Sequence, residues 1–298
     1  MKFTKMHGCG NDYIYINGFE ENIPDSKKAS LVREMSNRNC GIGSDGVIFI
    51  NPCADADFEM EMYNADGSRG EMCGNGIRCV AKYVYEKGMT TKKKLSIRSC
   101  NSLIALELLL EKSEELEWVR DVRVNMGSPL FAPDLIPVTE CESREYVMRE
   151  PIMVAGKMYE MTCVSMGNPH AVVFVEDLKN FPVEKVGPWF ETHPRFPKRI
   201  NVEFVEVIDK ENINMRVWER GTGETLACGT GACASVAACV LNQLTDLKVV
   251  VKLLGGQLEV FWDRSANVIY MEGPAVTVFE GEWTGDFPSR IGEKYGKS

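Results

Sequence analysis

The sequence predicts a mixed α/β protein of the α+β type, built from two equivalent halves in which sheet wraps around a central helix. Three observations carry this. Many short strand-like segments alternate with turn residues. The segment after Gly229-Thr230-Gly231 reads Ala232-Cys233-Ala234-Ser235-Val236-Ala237-Ala238-Cys239-Val240-Leu241, small and apolar on every side, so as a helix it must be buried all round. Finally, Cys73-Gly74-Asn75-Gly76 recurs as Cys228-Gly229-Thr230-Gly231 about half a chain later. A length of 298 residues suits two domains better than one.

The elements follow in order. Strands are expected at 12–17, 47–50, 58–63, 95–98 and 103–110, near 122–125, then at 171–175, 202–208, 213–218, 248–253, 258–262 and 268–272. Gly18, Asn51-Pro52, Gly255-Gly256 and Asp263-Arg264 supply turns. Ser26 is expected to cap a helix through Leu31, Val32 and Met35. A second helix starts at Gly74–Gly76, aligns Ile77, Val80, Ala81 and Val84 on one stripe and ends at Gly88. The apolar helix is the third.

The repeat extends upstream of the cysteines. Gly10-Asn11-Asp12 and Gly167-Asn168-Pro169 each precede a strand, and Asn11 and Asn168 precede their cysteines by nearly equal intervals. Asn64 and Glu219 stand at the same interval before Cys73 and Cys228. Arg38 with Gly43-Ser44-Asp45 has a looser echo in Arg199-Ile200-Asn201.

Composition excludes several classes. Against 43 acidic residues stand 34 basic ones, a net charge of −9 that repels polyanions, so no nucleic-acid partner is expected. No apolar run approaches the ~18 residues of a membrane span, and Met1-Lys2-Phe3-Thr4-Lys5 does not open a signal peptide. The 11 cysteines lack disulfide-framework or CxxC spacing, which points to a reducing cytoplasm. No metal site is expected, since neither HExxH nor zinc-finger spacing occurs.

Each repeated cysteine sits at a Gly-rich helix start. Free N–H groups and the helix dipole there favour negative charge, so the thiol pKa is expected to fall and a carboxylate can be held. Two such starts facing each other would place one α-carbon between two sulfurs. One thiolate then removes the α-proton while the opposite thiol returns one, inverting the centre without a cofactor. The developing enediolate would lie between two helix ends. The cysteines alone do not choose this over thiol redox cycling, nor over carboxylate binding without chemistry.

Asn11, Asn64, Asn168 and Asn201 lie in Gly-rich surroundings, and Glu219-Arg220 precedes Gly221-Thr222-Gly223-Glu224. Arg220 and the amides suit a second amino-acid head group's carboxylate, and Glu219 its ammonium; the asparagines equally suit turns. His170 is placed to tune a cysteine or to serve as a structural hydrogen-bonded histidine, the role that suits His7, while His193 reads as surface.

Together, Lys5–Asp12, Gly41–Gly46, Asn64–Ser68, Cys73–Cys79, Met166–His170, Arg199–Val202 and Trp218–Gly231 resemble the diaminopimelate epimerase family over nearly the whole chain. The resemblance implies two pseudo-symmetric domains, each a curled, mostly antiparallel sheet around a central helix, with the active site in the cleft between. It implies interconversion of LL- and meso-diaminopimelate, for lysine and peptidoglycan precursors, without pyridoxal phosphate or metal. Cys73 and Cys228 are implied as the acid–base pair, and His170 and Glu219 as modulators of their pKa. Asn11, Asn64, Gly74, Asn75, Asn168, Asn201, Glu219, Arg220, Gly229 and Thr230 are implied as substrate contacts. Some members place a substrate-contacting Gln at the position matched here by Gly46. The expected units are residues 1–122 with 275–298, and 123–274; a homodimer is also implied. The distal polar set argues against a proline or hydroxyproline racemase, whose substrate has no second head group.

Overall fold

The computed structural model describes residues 1–70, 73–114, 117–141 and 144–285. The first half runs β1 (Lys2–Gly8), β2 (Asn11–Asn17), α1 (Asp25–Ser36), β3 (Gly46–Asn51), β4 (Phe58–Asn64), α2 (Gly74–Glu86), β5 (Lys94–Ser99), β6 (Ser102–Lys112) and β7 (Glu117–Asn125). The second runs β8 (Glu150–Val154), β9 (Lys157–Ser165), β10 (Pro169–Phe174), α3 (Val183–Glu191), β11 (Asn201–Val207), β12 (Asn212–Glu219), β13 (Gly223–Thr225), α4 (Gly229–Leu241), β14 (Lys248–Leu253), β15 (Gly256–Asp263) and β16 (Val268–Pro274). β17 (Val276–Glu282) follows and pairs with β1.

Strand pairing repeats between the halves. β1–β2 is antiparallel, β2–β3 parallel, β3–β4 antiparallel, β4–β5 parallel, and β5–β6 and β6–β7 antiparallel. The order β9, β10, β11, β12, β14, β15, β16 follows the same sequence of senses. Parallel neighbours need a long crossover, and every parallel pair here is joined through one of the helices. The two halves join into one continuous sheet where β7 pairs antiparallel with β16. Residue 122 lies inside β7, a strand bonded to both halves. The tail assigned with the first half includes residues 286–298, which lie outside the described residues.

Alternation along the strands decides which helix is central. Tyr13 and Tyr15 of β2, and Ile48 and Ile50 of β3, join the core that holds α2, while Ile14, Ile16, Val47 and Phe49 face α1 on the other side. In the second half Val172 and Val205 face α4, while Ala171, Val173, Val202 and Phe204 face α3. Ile77, Val80 and Val84 of α2 share one core cluster with Val236 and Ala237 of α4. Each sheet therefore curls around a buried helix and carries a second helix outside.

The structure departs from the sequence reading in places. α1 begins at Asp25 after Pro24, with no side-chain cap, so Ser26 is helical rather than the cap; Pro24 presets the entry at φ −59°. α3 is unanticipated, because Pro188 lies within it. β1, β8, β9 and β13 are also additional, β9 because only its second half is continuously buried, whereas β17 falls in the 275–298 segment expected with the first half. Among the described residues no helix is long and apolar enough to cross a membrane.

Candidate active site

Cys73 caps α2 and Cys228 caps α4 with nearly the same backbone, φ −131°, ψ 111° and φ −125°, ψ 115°. Cys73 Sγ accepts the Gly76 N–H at 3.3 Å, and Cys228 Sγ accepts the Gly231 N–H at 3.3 Å. The two helix starts are close neighbours: a Cβ built on Gly229 would lie 3.9 Å from the Gly74 Cα. Asn75 Nδ2 crosses between the halves and donates to the Ala227 carbonyl at 3.4 Å. Both cysteines open into one cleft of about 1610 Å³.

Asn11, Asn64, Gly74, Asn75, Asn168, Glu219, Arg220, Gly229 and Thr230 line that cleft with them. Asn11 Oδ1 accepts from the Cys73 thiol at 3.1 Å, and its Nδ2 donates to Asp45 Oδ2 at 2.8 Å. Asn168 Nδ2 donates to Thr230 Oγ1 at 3.2 Å, and that hydroxyl lies 3.5 Å from Cys228 Sγ. Asn64 Nδ2 is bonded to Ser68 Oγ at 3.0 Å, and Glu219 accepts from the Thr225 hydroxyl. The Arg220 guanidinium donates to the Lys198 carbonyl at 3.1 Å at the rim.

Two expected residues stand behind the wall. His170 is 0% exposed; its Nε2 is 2.9 Å from Asn168 Oδ1 and its Nδ1 2.7 Å from Glu203 Oε1. With Asn168 Nδ2 committed to Thr230, its Oδ1 only accepts, so Nε2 carries a proton. Asn201 is buried, donates to the Pro169 carbonyl at 2.8 Å and accepts the Arg220 N–H at 2.9 Å. It braces both substrate-side loops rather than lining the cleft. Gly46 pairs with Tyr13 as Asn201 pairs with His170, so it occupies the place of Asn201 in the first half. A Cβ there would run into the Tyr63 carbonyl, so the position has room for glycine and not for the side-chain contact that the resemblance implies at this place.

The halves match in backbone and differ in charge. Around Cys73 stand Asn11, Tyr13, Ile48 and Asn64; at the equivalent positions around Cys228 stand Asn168, His170, Glu203 and Glu219. Glu203 and Tyr13 escaped the sequence reading. The signal was present for Glu203: it shares the strand face of inward-pointing Val205, so it must point at α4. Gly231 admits it, since a Cβ there would lie 2.6 Å from Glu203 Oε1.

The expected fall in thiol pKa is overturned. Burial pushes the Cys73 thiol up, the Gly76 and Asn75 N–H groups only partly oppose this, and the Glu219 carboxylate adds to it. Cys228 is pushed up further by burial, then by the charges of Glu219 and Glu203. Burial also raises Glu219 itself. The helix-start donors act at both sulfurs, but desolvation exceeds them.

The family model for diaminopimelate epimerase matches residues 3–132 and 162–278. A diaminopimelate epimerase of Acetivibrio thermocellus is 52% identical over 282 residues, covering 95% of this chain and 98% of that protein. One from Agathobacter rectalis is 52% identical over 287 residues, covering 95% and 99%. Among solved structures, a probable proline racemase from Agrobacterium radiobacter K84 with bound carbonate superposes with a TM-score of 0.66 at 15% identity, covering 97% of this chain and 94% of that one. That likeness shows the same two-domain fold. With one family model spanning most of the chain and half of its residues shared with full-length relatives, this chain belongs to the diaminopimelate epimerase family.

Proposed function

We propose that this protein interconverts LL- and meso-diaminopimelate by proton exchange between Cys73 and Cys228 across one α-carbon. The observation that carries the reading is the pair of cysteine caps on two adjoining helix starts in a single cleft. The substrate α-carboxylate sits on the N–H groups of Gly74, Asn75, Gly229 and Thr230, which stabilise the enediolate as charge moves onto it. One thiolate takes the α-proton, breaking C–H and forming S–H. The opposite thiol delivers its proton to the other face, leaving the inverted centre and a thiolate on the other side. The reverse reaction exchanges the roles.

Asn11, Asn64, Asn168, Asn201, Glu219 and Arg220 complete the substrate set. Asn201 acts through the Arg220 backbone it holds, and Glu219 and Arg220 serve a charged head group. His170 and Glu219 set the protonation of the Cys228 side. This chemistry needs neither pyridoxal phosphate nor metal. In this reading the units are residues 1–122 with 275–298 and residues 123–274, the enzyme works in the cytoplasm on lysine and peptidoglycan precursors, and it assembles as a homodimer.

Incubation with LL-diaminopimelate in D2O tests the reaction. One deuterium should enter at Cα as the meso isomer forms, and both Cys73→Ala and Cys228→Ala should stop net epimerisation. Exchange seen with L-proline and not with diaminopimelate would sink the substrate assignment. Activity that survives Cys73→Ser but requires an oxidant would replace acid–base chemistry with thiol redox.

A further inference from the structure

Arg78 is 0% exposed, and every polar partner it has is uncharged. Its Nε donates to the Pro274 carbonyl at 3.2 Å and its Nη1 to the Gly74 carbonyl at 3.2 Å. Nη2 donates to Asn75 Oδ1 at 2.9 Å, and Met271 Sδ and Cys9 Sγ lie at 3.8 and 3.9 Å. No ion pair to Arg78 occurs among the described residues. A buried cation without a carboxylate is costly, so stabilising the fold leaves this residue unexplained.

Its placement is specific. Arg78 lies three and four residues after Asn75 and Gly74, on the same helix face. The guanidinium lies in a slot that needs glycine on one wall, where a Cβ on Gly8 would be 2.8 Å from Nη2. On the other it packs over Gly273, where a Cβ would be in ordinary contact with Cζ at 3.4 Å but would run into Leu258 Cδ2. Because a guanidinium only donates, it claims Asn75 Oδ1 and turns Nδ2 toward Ala227, the residue before Cys228. Met271, which it also touches, underlies both helix starts: a Cβ on Gly229 would be 3.1 Å from its Sδ, and one on Gly74 3.3 Å from its Cε. At the repeat-equivalent position α4 carries Cys233. One guanidinium therefore serves both helices.

We propose that Arg78 is a positioning residue that fixes the spacing of the two cysteine-bearing helix starts, acting through Asn75 and Met271. The catalytic consequence rests on the reading above; the geometric one does not. Lysine keeps the charge but cannot reach several acceptors in a plane, so Arg78→Lys is the informative variant and Arg78→Met the second. In Arg78→Lys the thermal midpoint should stay near that of the unmodified enzyme, while kcat falls about 100-fold, as expected for a small misplacement of reacting groups, and KM moves far less. Backbone amide exchange should quicken at Gly229–Gly231 as well as at Gly74–Gly76, although the substitution lies in only one half. Unchanged kcat in both variants, or faster exchange confined to α2, overturns the proposal. If Arg78→Met does not fold, Arg78→Lys still decides. Should the unmodified enzyme fail to exchange Cα hydrogen, the functional reading fails, and the amide-exchange arm still decides the role of Arg78.

Discussion

At the scale of single residues, the two sulfurs share a backbone and differ in company. Glu219 and Glu203 oppose ionisation of Cys228 by charge, whereas Cys73 feels Glu219 among mostly neutral neighbours. Cys73 should therefore ionise first. Ultraviolet thiolate titration of Cys228→Ala, which keeps Cys73, should give a lower midpoint than that of Cys73→Ala; the reverse order would refute the assignment. Glu219→Gln removes a carboxylate that disfavours both thiolates, so the midpoints of both thiols should move to lower pH. A shift upward, or none, would show that Glu219 does not govern them. Cys73 and Cys228 were legible because their motif repeats; Glu203 and His170 became a pair only when β10 and β11 were laid parallel.

At the scale of elements, the Gly-rich helix starts are crowded in unequal ways. A Cβ at Gly231 would press on the buried Glu203 carboxylate, while one at Gly76 would meet only the terminal Cδ1 of Ile48 at 2.8 Å. Gly231→Ala should therefore cost about 1–3 kcal/mol, in the range of overpacked cores, and Gly76→Ala less, because the Ile48 tip can rotate. Denaturant unfolding of both variants measures the difference; equal losses would contradict it. The interior of α4 makes the same point. Ala234 is wholly buried between sheet strands, and Ala234→Leu should lower the unfolding free energy by about 1–3 kcal/mol or more. A neutral result would mean that α4 has free space around it. That α4 is buried all round could be read from its composition, whereas α3 could not be read, because an internal proline argues against a helix and the packing of Val183, Val186 and Phe190 into the core appears only in the folded chain.

For the whole molecule, charge pairs between distant segments set the response to acid. Burial raises Asp12, but hydrogen bonds and charge from Arg38 and Lys5 outweigh it and hold its pKa low. Glu191 is likewise held low against burial by Trp218, the Gly221 N–H and Arg199. A carboxylate depressed by folding contributes stability above its unfolded pKa and loses it as pH falls through the folded value. The thermal midpoint should therefore fall below about pH 4, and Asp12→Asn should flatten part of that fall. An unchanged acid slope in Asp12→Asn would show that the Lys5–Asp12–Arg38 cluster contributes nothing. Removing β17 should act globally as well, since β1 would lose its outer partner and Phe3 its edge contact with Phe279 at 5.9 Å. A truncated chain with an unchanged midpoint would contradict that.

What the sequence determined by itself was the repeated unit: two cysteine caps, two buried helices and the alternating strands around them, each a signal carried by a short stretch of neighbouring residues. The tertiary structure decided what those signals meet. It joined the halves through β7 and β16, set one buried arginine beneath both helix starts, and placed His170 and Glu203 behind Asn168. It also reversed the expected direction of the thiol pKa shifts. Helix-start donors can be read from a Gly-rich motif, but desolvation depends on how much of the rest of the chain closes over the sulfur, and at both cysteines that term is the larger.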